Sequence, residues 1–314
     1  MQSRVLIGVS NNPITSLDEV DEFFRVNSEE PSFGNEPVLA ADESLTGKRA
    51  QTAGALVRLK SSFSNSLVAT KDTLKLLLEC AGFKVETVGL DLVYTLNDKI
   101  TKYAIIVLDH PDENMFHWFT GAQINSMTFD IILDNLVKLN SVDWATLEHK
   151  TVADQNFSTY ALANTITITE ITDEKLVVND AKFRLDATDL ETVLEKVSFS
   201  IQNNLEATKG FSGLQNTRIK ISGAQTIEPE LSIQKFDKAL YNSIDSKLKG
   251  YSKCVASLKL GLASDTIIEF PDIRIKQNQL SDLAGAGQMT VQADAYLDIA
   301  TGTNLKITLK NEGV

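Results

Sequence analysis

The stretch Tyr103 to Leu133, YAIIVLDHPDENMFHWFTGAQINSMTFDIIL, restricts the fold more than any other part of the chain. Tyr103 to Leu108 is rich in β-branched residues and reads as a strand. His110-Pro111-Asp112-Glu113-Asn114 is a turn cluster, because proline fixes one φ and Asp and Asn side chains bond nearby backbone. The return path is aromatic from Met115 to Phe119 and is interrupted at Gly121. It then alternates, with Met127, Phe129 and Ile131 on one face and Thr128 and Asp130 on the other. A strand, a turn and a long half-buried return strand place the chain in a β class.

Two helices stand out against this background. Leu74, Leu77, Leu78 and Ala81 repeat at helical spacing, so the pattern predicts a helix over Thr70 to Ala81. Thr70 is placed to cap its start, and Gly82 to end it in the left-handed region. A second stripe, Phe236, Leu240, Ile244 and Leu248, predicts a helix over Ile233 to Lys249 closed by Gly250. A helix with one apolar stripe is most simply a cover for a sheet.

Elsewhere Val5 to Val9 reads as a short apolar strand or arm. Glu29 to Leu45, with Pro31, Gly34 and Pro37, reads as an extended loop. Residues 134–165 show neither period clearly and read as an irregular connection. From Thr165 onward alternating apolar segments return.

The two halves share an order of events. Each has a strand ending in Asn (Phe24 to Asn27; Phe199 to Asn203) and a loop carrying Phe33-Gly34 or Phe211-Ser212-Gly213. Each then has a charged alternating strand, one helix, a Gly-aromatic step (Gly82-Phe83; Gly250-Tyr251) and a hairpin with a return strand. The expectation is two tandem β-sandwich or barrel-like modules with one flanking α-helix each, over residues 1–150 and 151–314. The competing reading is two unrelated β-rich regions that each contain a helix.

With 314 residues there is room for about two domains. The net charge of −12 supplies no basic face at the whole-chain level, and gripping nucleic acid by its phosphates needs one. Cys80 and Cys254 have no neighbour at zinc spacing and read as buried thiols. The first apolar run is too short for a signal peptide, and no stretch approaches the ~20 apolar residues of a membrane span. His110, Asp112 and His117 lack the spacing of a metal pair, and there is no nucleophile elbow or phosphate loop. No catalytic, metal or cofactor residue is expected.

Three places resemble a known family, the major tail tube proteins of long-tailed bacteriophages. They are Thr73 to Phe83, with its Leu-Leu run ending in Gly82-Phe83; Trp118 to Asn125, with its Gly121-Ala122 step into a strand; and Glu43-Ser44-Leu45-Thr46-Gly47 before an alternating strand. The resemblance covers the first half best. It implies a non-enzymatic structural virion protein, made in the host cytoplasm, that self-assembles into stacked rings and forms a conduit for DNA in transit. It also implies partners: other copies, tail terminator, tail tip and tape-measure proteins, and no membrane. If both halves are ring modules, three chains make a pseudo-hexameric ring; if only one is, six chains make it. An acidic lumen would let DNA slide, and Asp109, Asp112, Glu113, Asp130, Asp272 and Asp294 are the candidate lumen acids. Val5, Leu6, Ile7, Phe33, Pro37 and Leu39 are the candidate contacts between subunits or rings. The tube of a contractile tail or injection machine fits the same features. The alternative is a β-sandwich binding module of the capsid-decoration or adhesin kind, without polymerisation.

Overall fold

Burial on both faces defines the first strand of the fold. A computed structural model describes residues 3–40, 55–171, 175–178, 182–186, 188–190, 194–208, 216–234, 238–260, 266–283 and 286–310. In β1 (Arg4–Ser10), Val5 and Ile7 enter the main core while Leu6 enters a second, smaller one. Consecutive Val-Leu-Ile is what a strand covered on both sides needs. The segment expected as a short apolar strand or arm is therefore an interior strand. It lies between β2 (Glu22–Val26) and a later strand.

The expected loop at Glu29 is also a strand. β3 (Ser28–Ala40) pairs antiparallel with β4 (Ala55–Val68) to make a long hairpin. Pro31 falls at a register shift between Glu29 and Ser32, and Pro37 opposes Leu59. Proline is tolerated there because β3 pairs with no strand but β4 among the described residues, so a missing N–H on its outer side breaks no bond within the chain. The segment Glu43 to Gly47 lies outside the described residues.

Helix α1 (Lys71–Cys80) follows, as its period predicts. The Thr70 side chain accepts from the Thr73 N–H at 3.1 Å, and Gly82 has φ +86°. Leu74, Leu77 and Leu78 are fully buried. Then come β5 (Phe83–Val88), β6 (Asp91–Leu96), β7 (Tyr103–His110) and the 18-residue β8 (Met115–Ile132). The region expected to be irregular contains β9 (Lys138–Ala145), β10 (Glu148–Val152) and a short helix α2 (Phe157–Ala163). Its strands escape detection because bends at positive φ, Ser141 (51°) and Asp154 (73°), break the alternation.

The second half holds β11 (Thr167–Glu170), β12 (Lys182–Leu185), β13 (Thr188–Asp189), β14 (Leu194–Gln202), β15 (Leu205–Thr208), β16 (Arg218–Ile221) and β17 (Thr226–Ile233). After α3 (Lys238–Gly250) come β18 (Cys254–Leu260), the 18-residue β19 (Thr266–Leu283), β20 (Ala286–Ala295) and β21 (Lys306–Leu309). Ile244 is the buried anchor of α3, and Leu240 and Leu248 pack beside it; Phe236 lies outside the described residues. Gly250 still belongs to the helix, and the left-handed residue is Tyr251 at φ 44°. The fold is mainly β.

Two hydrogen-bonded layers result. One runs β11–β2–β1–β7–β8–β10, with β11 parallel to β2 and every other pair antiparallel. Strands at and beyond position 148 thus bond into the first-half sheet. The other layer uses the later part of β8 and reaches into the second half. Gly121 is where β8 turns from one layer to the other. Its φ is +53°, and a Cβ there would lie 2.5 Å from Leu147 Cδ1, so glycine is required twice over.

Thr70→Ala removes the cap of α1 and should lower stability by about 1 kcal/mol, read as a lower urea midpoint, while Thr70→Ser should retain most of the wild-type value.

Candidate assembly interface

The second layer contains one uninterrupted ladder, β3–β4–β9–β8 followed by β14–β17–β20–β19. Its two groups of four strands have matching registers. Ser28 opposes Leu67 as Leu194 opposes Ile233, Ser32 opposes Ser64 as Ser198 opposes Glu230, and Phe33 opposes Phe63 as Phe199 opposes Pro229. One shift of 166 positions (199 − 33) relates all three. β8 and β19 have equal length, and the register break between Ile124 and Ser126 recurs between Ile275 and Gln277, a shift of 151 (275 − 124). β4 leads into α1 and β17 into α3. The counterpart of Phe199 is thus Phe33, where sequence order had pointed to Phe24. The counterpart of β4 is β17, where it had pointed to the charged segment that forms β16. Phe211 to Gly213 lies outside the described residues.

The two groups join through β8 and β14, which are antiparallel with Phe129 opposite Phe199. These rings stack at 4.4 Å and 11°, each 1% exposed, with Met127–Ile201 and Ile131–Val197 on either side. Offset ring stacking adds to the burial itself. Asn203 locks the end of the seam: its N–H donates to Asn125 O, and its side-chain amide donates to Ala81 O and Ile124 O at 2.8 Å each. The joint is therefore tied to the end of α1.

At its outer ends the ladder is open. Among the described residues β3 has a strand partner on one side, and β19 beyond Ile273 has β20 on one side and no strand on the other. Unpaired backbone groups on long edges invite another strand. Each edge also carries an exposed apolar side chain, Phe33 (40%) and Leu280 (50%).

One face of the ladder is polar. Asp130 pairs with Lys196 at 2.6 Å and accepts from Asn140, and Asp294 pairs with Lys276 at 2.7 Å. Ser126 donates to Asp143, and Gln292 to Glu230. Of the acids singled out in the sequence, Asp130 and Asp294 lie on this face. Asp109 is 1% exposed and accepts the Phe157 N–H at 2.9 Å; burial pushes its carboxyl up from the ordinary value. Asp112 and Glu113 lie in the turn between β7 and β8, off the ladder. Asp272 is 9% exposed and held by Arg274. Asp272 lies on the same side of β19 as Arg274, which opposes Asp294. Asp109, Asp112 and Glu113 lie off this face because register and pairing, which periodicity does not encode, decide the face. Val5, Leu6 and Ile7 are core residues and reach no surface; Phe33, Pro37 and Leu39 lie on the open strand β3.

The chain's three histidines meet beside β3, a convergence that their sequence spacing does not reveal. His117 Nδ1 is 3.2 Å from His149 Nε2, and His149 Nδ1 is 2.8 Å from the Asn35 side-chain nitrogen. With both rings neutral, Asn35 donates to His149 and His149 donates to His117. The Thr151 hydroxyl is 2.9 Å from the same His117 nitrogen. Phe33 packs on both rings, Phe119 stacks on His149, and His110 stands edge-on to His117. Burial and the neighbouring rings push His149 down to about 4 and His117 down as well. The cluster ties β3 to the layer above it. Among the described residues no group of three His, Cys, Asp or Glu is placed to hold a metal. No helix among them is long and apolar enough to cross a membrane.

No family model matches the chain, and no curated protein does. Solved structures are similar over part of it. One is from the virion of a native gene transfer agent particle: 10% identity, 37% of this chain and 91% of that one, TM-score 0.30. A second is from the SPP1 tail tube: 10% identity, 43% and 78%, TM-score 0.31. A third is from the tail of an empty gene transfer agent particle refined with C6 symmetry: 10% identity, 37% and 89%, TM-score 0.28.

The histidine cluster gives a pH dependence of definite sign. Because the folded state holds His149 below its ordinary 6.5, the unfolded chain binds more protons between that value and about 4. Stability from this group is complete above 6.5 and is lost as pH falls through that window. Urea midpoints measured from pH 7.5 to 4 should fall, and His149→Gln should remove part of that slope.

Proposed function

We propose that this chain is a structural virion protein that assembles into stacked rings and forms the tube of a phage tail, a conduit for DNA from capsid to host. One observation carries the reading: the ladder ends in two unlike open edges whose internal counterparts, β14 and β8, are already joined to each other. The Thr73 to Phe83 and Trp118 to Asn125 segments that resemble tail tube proteins form α1 and the bend of β8. A contact between two unlike patches is head-to-tail, and it closes into a ring where the rotation allows. Closure removes the edges altogether and curves the sheet into a barrel wall.

Each chain brings two four-stranded groups, which we take as two copies of one module. Three chains then present six modules, a pseudo-hexameric trimer, in preference to a ring of six chains. The polar face of the ladder becomes the lumen. Two of its acids, Asp130 and Asp294, are matched by lysines on the same face, while Asp143 and Glu230 are held by a hydroxyl and an amide. Such a wall offers no basic track for phosphates, so DNA passes without being gripped. The faces of the ring are left for neighbouring rings and for terminator, tip and tape-measure proteins.

Electron microscopy of the purified chain at rising concentration tests the reading. Stacked hollow rings with threefold averages are expected. Particles that remain single chains at every concentration, also after addition of a preformed tail tip, would return the chain to the binding-module class.

A further inference from the structure

We propose that the chain carries within itself the template for its own subunit contact: β3 of one copy pairs antiparallel with β19 of the next, with Phe33 opposite Leu280. This rests on the ring reading above and deepens it to a register. The two shifts that relate the strand groups also carry the β8–β14 ladder onto the open edges. Phe199 maps to Phe33 and Phe129 to Leu280, so the stacked pair at the internal seam becomes the two apolar side chains left exposed at the edges. Ser198 and Asp130 map to Ser32 and Ser281, Ser200 and Thr128 to Gly34 and Gln279, and Ile201 and Met127 to Asn35 and Asn278.

Three observations independent of the mapping agree with it. Leu280 and Phe33 are both exposed apolar residues on the open strands, and in this register they cover each other. The Asn278 side chain is buried at both its nitrogen and its oxygen yet has no hydrogen-bond partner among the described residues; in this register it faces Asn35. No like charges oppose: Glu36 meets Gln277, and Asp282 meets Pro31. A slip of one residue would turn Phe33 and Leu280 to opposite faces. The occupant of each edge is therefore a second copy, recognised by backbone pairing with one apolar contact to set the register, as in strand addition generally.

The test mixes two single-cysteine variants, Ser32→Cys and Ser281→Cys, so that any disulfide joins two chains. The native Cys80 and Cys254 are both 0% exposed and give little background. Under mild oxidation of assembled material the mixture should form a linked dimer, and the double variant a ladder of species ending at the trimer. The pair Ser32→Cys with Gln279→Cys, two positions out of register, should stay reduced. Separately, Leu280→Asp should melt like the wild type, because that side chain is exposed in the free chain. It should also raise the concentration needed for assembly by roughly tenfold or more. Rings that link only through the out-of-register pair, or through neither, overturn the register and leave the tube reading standing. A wild-type chain that never assembles and never links overturns both.

Discussion

A β-strand interior to a sheet has both rows of backbone groups satisfied, and a strand at the edge has one. The β8–β14 ladder is where this chain meets that constraint internally. Without it, β8 and β14 would each be edges, and the aromatic pair Phe129 and Phe199 would face water. With it, two similar strand groups become one sheet, and Asn203 fastens the seam to the end of α1. The same joining leaves one edge of each kind at the outside, where the backbone groups have no strand partner among the described residues.

Everything around the ladder keeps its inner face dry. β1 and β7 supply the layer above the first strand group, α1 packs Leu74, Leu77 and Leu78 into the main core, and α3 covers the second group through Ile244. β8 can serve both layers because Gly121 lets it bend; of the aromatic run before that bend, Phe119 enters the main core while Phe116 and Trp118 enter the smaller one. β6 pairs with β21, so the two halves are also tied away from the seam. A contact at the open edges is thereby set on a sheet whose curvature and register are held from behind.

The charge of the chain is acidic as a sum, and on the polar face of the ladder it is offset in part by lysines. Asp130 and Asp294 are neutralised by Lys196 and Lys276, residues on the neighbouring strands of the same face. Exposed pairs of this kind contribute little to stability. Their effect is on the field: they offset two of the acids on this face, beside Asp143 and Glu230, which are bonded to a hydroxyl and an amide. The histidine cluster acts elsewhere, as a neutral network that holds β3 against the other layer and loosens when protonated.

Periodicity alone settled the local elements whose pattern is set by one covered face: α1 with its Thr70 cap and Gly82 end, the β7–β8 hairpin, and the alternation of Met127, Phe129 and Ile131. Of the order of events read in both halves it placed the helix and the step that follows it, while the counterparts it gave Phe199 and the charged segment of β16 are not those of the registers. It left Val5 to Val9 open between strand and arm because a strand buried on both faces has no alternation, and it misread β3 because prolines on an edge strand look like a loop. It could not assign Asp109, Asp272 or the three histidines to their places. Those depend on which strands lie side by side, and pairing between positions far apart leaves no mark within a window of sequence. Tertiary structure decided that Phe33, not Phe24, answers to Phe199, because a register is a relation between two strands and belongs to neither alone.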